Sequence, residues 1–428
     1  MIADRNLEEK KQAEFGIFKN FANRFDNPLE EEDEKLKNIK GRTMIHLHVD
    51  TMPYFRPGVR EAMDKELEDT VVPTARTRRG LKKAARLEGY RNEVARYAHC
   101  RPEEVIFVSS VTEANAWAIR GARFSGNTSP DHILVSPLEH SSVLRSAEAL
   151  SRETGGRIQL LTLTPQGTVD TEALKRKWPG ERTLVSLQRV NPETGLVQPL
   201  EEVAGIVRER GGILHSDSSA AQGWEPLSLS SDGPDLMSLS SAVAGGPAGI
   251  AALLLRRGVR INPWLLGGAQ EDGRRAGSQP VFLAAGFAQA LRQEKESLPT
   301  DRQRLEHLDH LFLSAVQKDY PEVKIAALHA PRRPGILNLL VPEVDGQALL
   351  SLLDREGVEV GTGASCSAQS LTVSHVLTAL GYPARQAQGS IVLSLGWWNQ
   401  ESDLGLFQSA LNKSRGILSR INVTGATA

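Results

Sequence analysis

The stretch Ser240-Ser241-Ala242-Val243-Ala244-Gly245-Gly246-Pro247-Ala248-Gly249 runs into the apolar segment Ile250-Ala251-Ala252-Leu253-Leu254-Leu255, inside a lysine-free span bounded by Lys177 and Lys295. The apolar segment reads as a β-strand, one of a series. Val105-Ile106-Phe107-Val108, Ile133-Leu134-Val135, Ile158-Gln159-Leu160-Leu161, Leu184-Val185-Ser186-Leu187 and Gly212-Ile213-Leu214-His215 are short β-rich runs of the same kind. Stretches such as 139–153 and 199–210 between them carry helical patterns. Strands alternating with helices predict an α/β fold, a parallel or mixed sheet flanked by helices on both faces. Ligands of such sheets bind beyond the carboxyl ends of the strands, so the loops that follow strands are the place to look for chemistry.

After about residue 300 the pattern changes to a helix at 301–318, strands near 322–326 and 335–341, a helix at 346–356 and then Val358-Glu359-Val360. This predicts a small α+β domain over 300–428, a large domain over 60–299, and an N-terminal arm and joining segment over 1–59. Within the arm, Phe15, Phe18, Phe21 or Ala22, and Phe25 recur at helical spacing across a helix expected at 7–38. Its apolar stripe suits packing on its own core or on a dimer partner, with a docking helix for another protein as the alternative. The acidic run Glu30-Glu31-Glu32-Asp33-Glu34 reads as a solvated face.

Composition excludes several function classes. With 428 residues, 40% hydrophobic and 24% charged, the chain is that of an ordinary globular protein with one large core. A net charge of -1 and a pI near 6.8 provide no field for nucleic acid or an anionic membrane. The two cysteines, Cys100 and Cys366, form no Cys-x-x-Cys pattern, which argues against a disulfide framework or a zinc site. The start, Met1-Ile2-Ala3-Asp4-Arg5, leads into charge, and no run approaches the roughly 18 apolar residues of a membrane span. The expectation is a cytoplasmic protein.

Several ordered motifs carry a resemblance to the NifS/IscS-type cysteine desulfurases over about residues 46 to 410. Ser109-Ser110-Val111-Thr112-Glu113-Ala114-Asn115 resembles that family's Ser-Gly-x-Thr-Glu-x-Asn loop, which holds the cofactor phosphate at a helix start. Glu139-His140-Ser141-Ser142-Val143 resembles the Glu-His-x-x-Val segment whose histidine stacks on the pyridine ring. His215-Ser216-Asp217 resembles the His-x-Asp motif whose aspartate pairs with the protonated ring nitrogen. On pattern alone, the preferred reading of Asp217 is a loop or helix cap. Gly267-Gly268-Ala269-Gln270-Glu271 with Arg275-Ala276-Gly277-Ser278 resembles the segment whose hydroxyl reaches the partner subunit's phosphate, so Ser278 implies a dimer. Gly363-Ala364-Ser365-Cys366-Ser367 resembles the loop of the nucleophilic cysteine, with Ser374-His375-Val376-Leu377 following. A cysteine in a glycine- and serine-rich segment suits persulfide chemistry, and the alternative is a small buried residue without chemistry. Cys100 matches no site position.

The opening stretch is similar to the family's Ser-x-His-Lys-x-x-Gly-Pro-x-Gly motif, with Ser240 retained and Ala242 and Val243 at the histidine and lysine positions. The family starts from pyridoxal phosphate held as an imine on that lysine, and valine can neither form the imine nor move a proton. Pro192 stands at the second Asn of Asn-Asn-Glu-x-Gly, Ala220 at the glutamine that contacts the ring oxygen, and Val392 at the arginine that clamps the substrate carboxylate. Loss of that bidentate pair removes roughly 1.5–3 kcal/mol of charge-assisted contact. The apolar replacements are expected to close the pocket, since an unpartnered buried Lys or Arg is costly.

The resemblance thus implies a fold-type I pyridoxal-phosphate-transferase architecture with degenerate chemistry. The leading expectation is a pseudoenzyme without conventional desulfurase activity. It would be a scaffold, a persulfide acceptor through Cys366, or the partner of an active paralogue in a heterodimer, with a homodimer as the other assembly. One alternative is an enzyme that binds pyridoxal phosphate or another phosphorylated ligand without an imine, through Thr112, His140, Asp217, Ser240 and Ser278. The other is an active desulfurase with a lysine from elsewhere, such as Lys175 or Lys177.

Overall fold

The computed structural model describes residues 44–49, 54–229, 232–363 and 373–425. The chain divides into two compact units, Met1–Ile45 and His46–Ala428, and the fold below is that of the second. The expected helix at 7–38, the acidic run and Cys366 lie outside the described residues.

Seven strands form the main sheet: β1 (Val105–Val108), β2 (His132–Val135), β3 (Arg157–Leu160), β4 (Thr183–Ser186), β5 (Ile213–Asp217), β6 (Leu236–Ser240) and β7 (Ala251–Leu255). Their order is β1-β7-β6-β5-β4-β2-β3. Strands β2 to β6 pair in parallel, whereas β7 is antiparallel to both neighbours. Two antiparallel steps separate β1 from β6, so β1 points the same way as the parallel set. The carboxyl ends of β1, β2, β4, β5 and β6 therefore lie along one edge.

The helices that cover the sheet are α1 (Val59–Leu67), α2 (Arg78–Tyr97), α3 (Val111–Gly121), α4 (Ser141–Thr154), α5 (Leu200–Glu209) and α6 (Val281–Asp319). Side chains alternate across each strand. Phe107 of β1 packs with Leu87 and Val94 of α2 and Phe287 and Leu291 of α6 on one face. Its neighbours Ile106 and Val108 pack with Trp117 and Ile119 of α3 and Val143 and Leu150 of α4 on the other. Because both faces are covered, β1, β4, β5, β6 and β7 are buried throughout, which is why β1 and β7 read as continuous apolar runs. Edge strand β3 is exposed at every position.

A second sheet of three antiparallel strands, β8 (Lys324–Ile325), β9 (Ile336–Leu340) and β10 (Ser390–Ser394), is accompanied by α7 (Gly346–Arg355). In its register Asn338 faces Val392 across the β9–β10 pair. Among the described residues no helix is long and apolar enough to cross a membrane.

Candidate functional site

Site residues gather where the fold predicts, along the carboxyl edge of the main sheet. Thr112 follows β1, His140 follows β2, Asp217 ends β5, and Ser240 ends β6 with Ala242 and Val243 just beyond. All six line one cavity of about 420 Å³. Pro192 and Ala220 are on its wall too. Ser278 is exposed and is not among its lining residues.

The expected closure by apolar residues is corrected here. Ala220, Ala242 and Val243 line an open space, and only Val392 is absorbed into the core, with Val190 and Ile336. The reason is geometric. Val392 lies within β10 and its backbone bonds to Gly361, so its side chain has core neighbours on hand. Val243 instead sits in a loop whose course is set by other contacts. The Ser240 hydroxyl accepts from the Val243 amide at 3.1 Å, and Gln222 clamps Ser240 by accepting from its amide at 2.7 Å and donating to its carbonyl at 3.0 Å. Arg56 Nε donates to the Ala244 carbonyl at 3.0 Å, and the Arg56 amide donates to the Gly245 carbonyl. Gly245 has φ +80°, and a β-carbon on it would stand 2.7 Å from Arg56 Cγ, so glycine is required there.

The polar wall is wired together through Asn115. Its side-chain nitrogen donates to Asp217 Oδ2 at 2.7 Å and to Ser142 Oγ at 3.0 Å. Ser142 in turn meets His140 Nδ1 at 2.8 Å, and its amide donates to the same nitrogen at 3.1 Å, which makes His140 the N-cap of α4. Asp217 Oδ1 accepts from the amide and hydroxyl of Ser219 at 3.0 and 2.6 Å. Asp217 thus orders the loop that follows β5, as one sequence reading of it has it, and also lines the cavity. His215 is enclosed between Ser186 and Ser238, and burial lowers its pKa to about 4, so it stays neutral.

Two buried carboxyls flank these groups. Glu139 accepts from the Gln188 amide at 2.7 Å, and burial, reinforced by the charge of Asp217, pushes its pKa up to about 8. Burial likewise pushes Glu193 up to about 7, against hydrogen bonds from Ser374 at 2.8 Å and Asn338 at 3.3 Å. Gly363 lies so close to Glu193 that a β-carbon would meet its carboxylate oxygen at 2.0 Å.

At the other end of the cavity Ser110 caps α3 by accepting from the Glu113 amide. Burial would raise Glu113, but Arg275, bonded to it at 3.0 and 3.2 Å, and Ser109 hold it below the usual carboxylate range. Its negative charge is thereby balanced beside the start of α3, whose amides and hydroxyls suit an anion.

Among the described residues no lysine lines the cavity. Lys175 pairs with Glu172 and Glu202 on the surface, Lys177 reaches Thr162, and Lys83 is buried against Glu66. Cys100 is packed beside the core, and burial with Glu104 and Glu103 pushes its thiol up to about 12, which leaves it unreactive. Sequence motifs located Thr112, His140, Asp217, Ser240 and Val243. They did not single out Asn115, although it closes the quoted phosphate-loop motif, and nothing in the pattern marked Arg333 or His48, both on the cavity wall.

The aminotransferase class-V family matches residues 56–407. The cysteine desulfurase IscS of Dictyoglomus turgidum is 33% identical over 359 residues, covering 84% of this chain and 91% of its own length. The cysteine desulfurase IscS 1 of Archaeoglobus fulgidus is 30% identical over 362 residues, covering 82% and 94%. Among solved structures, a NifS-like protein superposes with a TM-score of 0.79 at 29% identity, covering 88% of this chain and all of that one. A NifS-like protein from Rickettsia africae gives 0.78 at 26% identity, covering 87% and 99%. The mixed, mostly parallel sheet is that of the pyridoxal-phosphate transferases, and this chain belongs to the aminotransferase class-V family as a homologue of the IscS/NifS cysteine desulfurases.

Proposed function

We propose that this chain is a desulfurase-family protein without lysine-based chemistry, whose cavity binds a phosphorylated, pyridoxal-like ligand non-covalently. The observation that carries this reading is the open cavity of about 420 Å³, with Val243 on its wall and no lysine among the described residues that line it.

The residues suit pyridoxal phosphate as a bound molecule and not as a covalently attached cofactor. Asp217 presents a carboxylate for a ring-nitrogen proton, His140 offers its ring, and Ser109, Ser110 and Thr112 at the start of α3 suit the phosphate. Such a ring supplies an electron sink when bound. This chain contributes no amine to attach it, and Val392 offers no clamp for a free amino acid.

The setting we propose is a cytoplasmic sulfur-transfer assembly. In it the chain acts as a homodimer, or as the partner of an active paralogue with Ser278 directed at the neighbouring subunit, and Cys366 accepts sulfur. Sulfide release from L-cysteine, with and without added pyridoxal phosphate, tests the central reading in wild type and Cys366→Ala. No release is expected from either. Sulfide production that disappears in Cys366→Ala would establish conventional desulfurase activity with a lysine from elsewhere and overturn the proposal. A melting temperature that does not rise with millimolar pyridoxal phosphate would overturn the ligand part.

A further inference from the structure

The cavity wall carries a cation that no motif indicated. Arg333, in Pro331-Arg332-Arg333-Pro334 just ahead of β9, lines the cavity and is only 4% exposed. Its amide donates to the Gly195 carbonyl at 2.8 Å, and its Nη1 donates to the Ala220 carbonyl at 2.6 Å. The guanidinium is thereby held beside the turn that follows Asp217, in place before any ligand arrives. The same wall carries the apolar Val190, Pro192, Ala220 and Ile336 beside the polar Asp217 and Ser219.

The position aligned with the substrate-carboxylate arginine is Val392, which is 3% exposed and packs with Ile336 and Val190. Ile336 and Val190 also line the cavity, so Arg333 brings a positive charge to the same side of the site by a different strand connection.

We propose that Arg333 is the carboxylate-recognition residue of this cavity. The ligand class is then a phosphorylated pyridoxyl compound bearing an amino-acid carboxylate, with phosphate at Ser109–Thr112 and carboxylate at Arg333. A planar guanidinium suits a carboxylate because it offers two parallel donors, and a low-dielectric wall strengthens the pair. The inference rests on the ligand-binding reading of the cavity and adds the second anionic end.

The test compares two unreactive probes by calorimetric titration of the full-length protein: pyridoxamine phosphate, and N-phosphopyridoxyl-L-alanine, which adds an alanine Cα, methyl and carboxylate to the same amine. Wild type is expected to bind the alanine adduct roughly 10–100-fold more tightly, the range of a charge-assisted hydrogen-bonded pair. In Arg333→Met the ratio should fall to near one, and in Arg333→Lys it should be intermediate because a single ammonium lacks the fork. If wild type binds both probes equally, the role of Arg333 is wrong and the ligand-binding reading stands. If it binds neither, that reading fails and this inference with it. The wild-type ratio and Arg333→Lys decide the matter even if Arg333→Met does not fold.

Discussion

Asn115 donates to Asp217 Oδ2 at 2.7 Å, joining the first helix after β1 to the end of β5. The same nitrogen reaches Ser142, so α3, the His140 cap of α4 and the Asp217 carboxylate form one hydrogen-bonded unit. Asn115 is fully buried, and Asp217 is 8% exposed.

Asn115→Leu removes a donor from a nearly buried carboxylate. A loss of about 1–3 kcal/mol in unfolding free energy is expected, because Asp217 keeps its desolvation cost without its partner. Urea denaturation measures it. Asn115→Leu with Asp217→Asn should cost less than the sum of the two single changes, since the two residues share the interaction.

Glu139 sets a pH dependence of stability. Its folded pKa is raised from 4.5 to about 8, so the folded chain retains a proton that the unfolded chain has released. The contribution is fully present below about 4.5 and is lost progressively as pH rises to about 8. Denaturation midpoints of wild type should therefore fall across that window, and the Glu139→Gln profile should be flatter. Parallel profiles would show that Glu139 is not proton-linked to folding.

Val243→Lys returns an amine to the cavity wall. With pyridoxal phosphate, this variant is expected to develop a visible imine absorbance and to retain the label after borohydride reduction, whereas wild type does neither at this site. Peptide mass mapping locates the label. A labelled lysine in the wild-type cavity would contradict the placement of Val243.

Gly363→Ala places a methyl group against Glu193, whose carboxylate is held by Ser374 and Asn338. The clash at 2.0 Å requires Glu193 to leave those partners or the backbone to shift. A destabilisation of roughly 1–3 kcal/mol is expected, read as a lower melting temperature. Gly363→Ala combined with Glu193→Ala should recover part of it.

Strand runs were legible wherever burial on both faces made them continuously apolar, as at β1 and β7. β6 was less so, because Leu236-Met237-Ser238-Leu239-Ser240 alternates small polar residues that pack inside, Ser238 against His215. The first half of α6 hides in Ala- and Gly-containing sequence whose buried face is set by α1 and α2. Site residues just after strands were readable because strand ends mark the ligand edge. Asn115 and Arg333 were not, since their roles depend on partners more than 100 positions away.

The sequence by itself determined the strand–helix alternation, the motif order and the apolar residue Val243 in the loop after β6, because these follow from local patterning and residue chemistry. Only the tertiary structure decided that the altered site stays open and that Arg333 stands on its wall. Whether a valine fills a space or merely borders it depends on the backbone that carries it. Val392 is built into a strand among core neighbours, whereas Val243 is held at the rim by Ser240, Gln222 and Arg56.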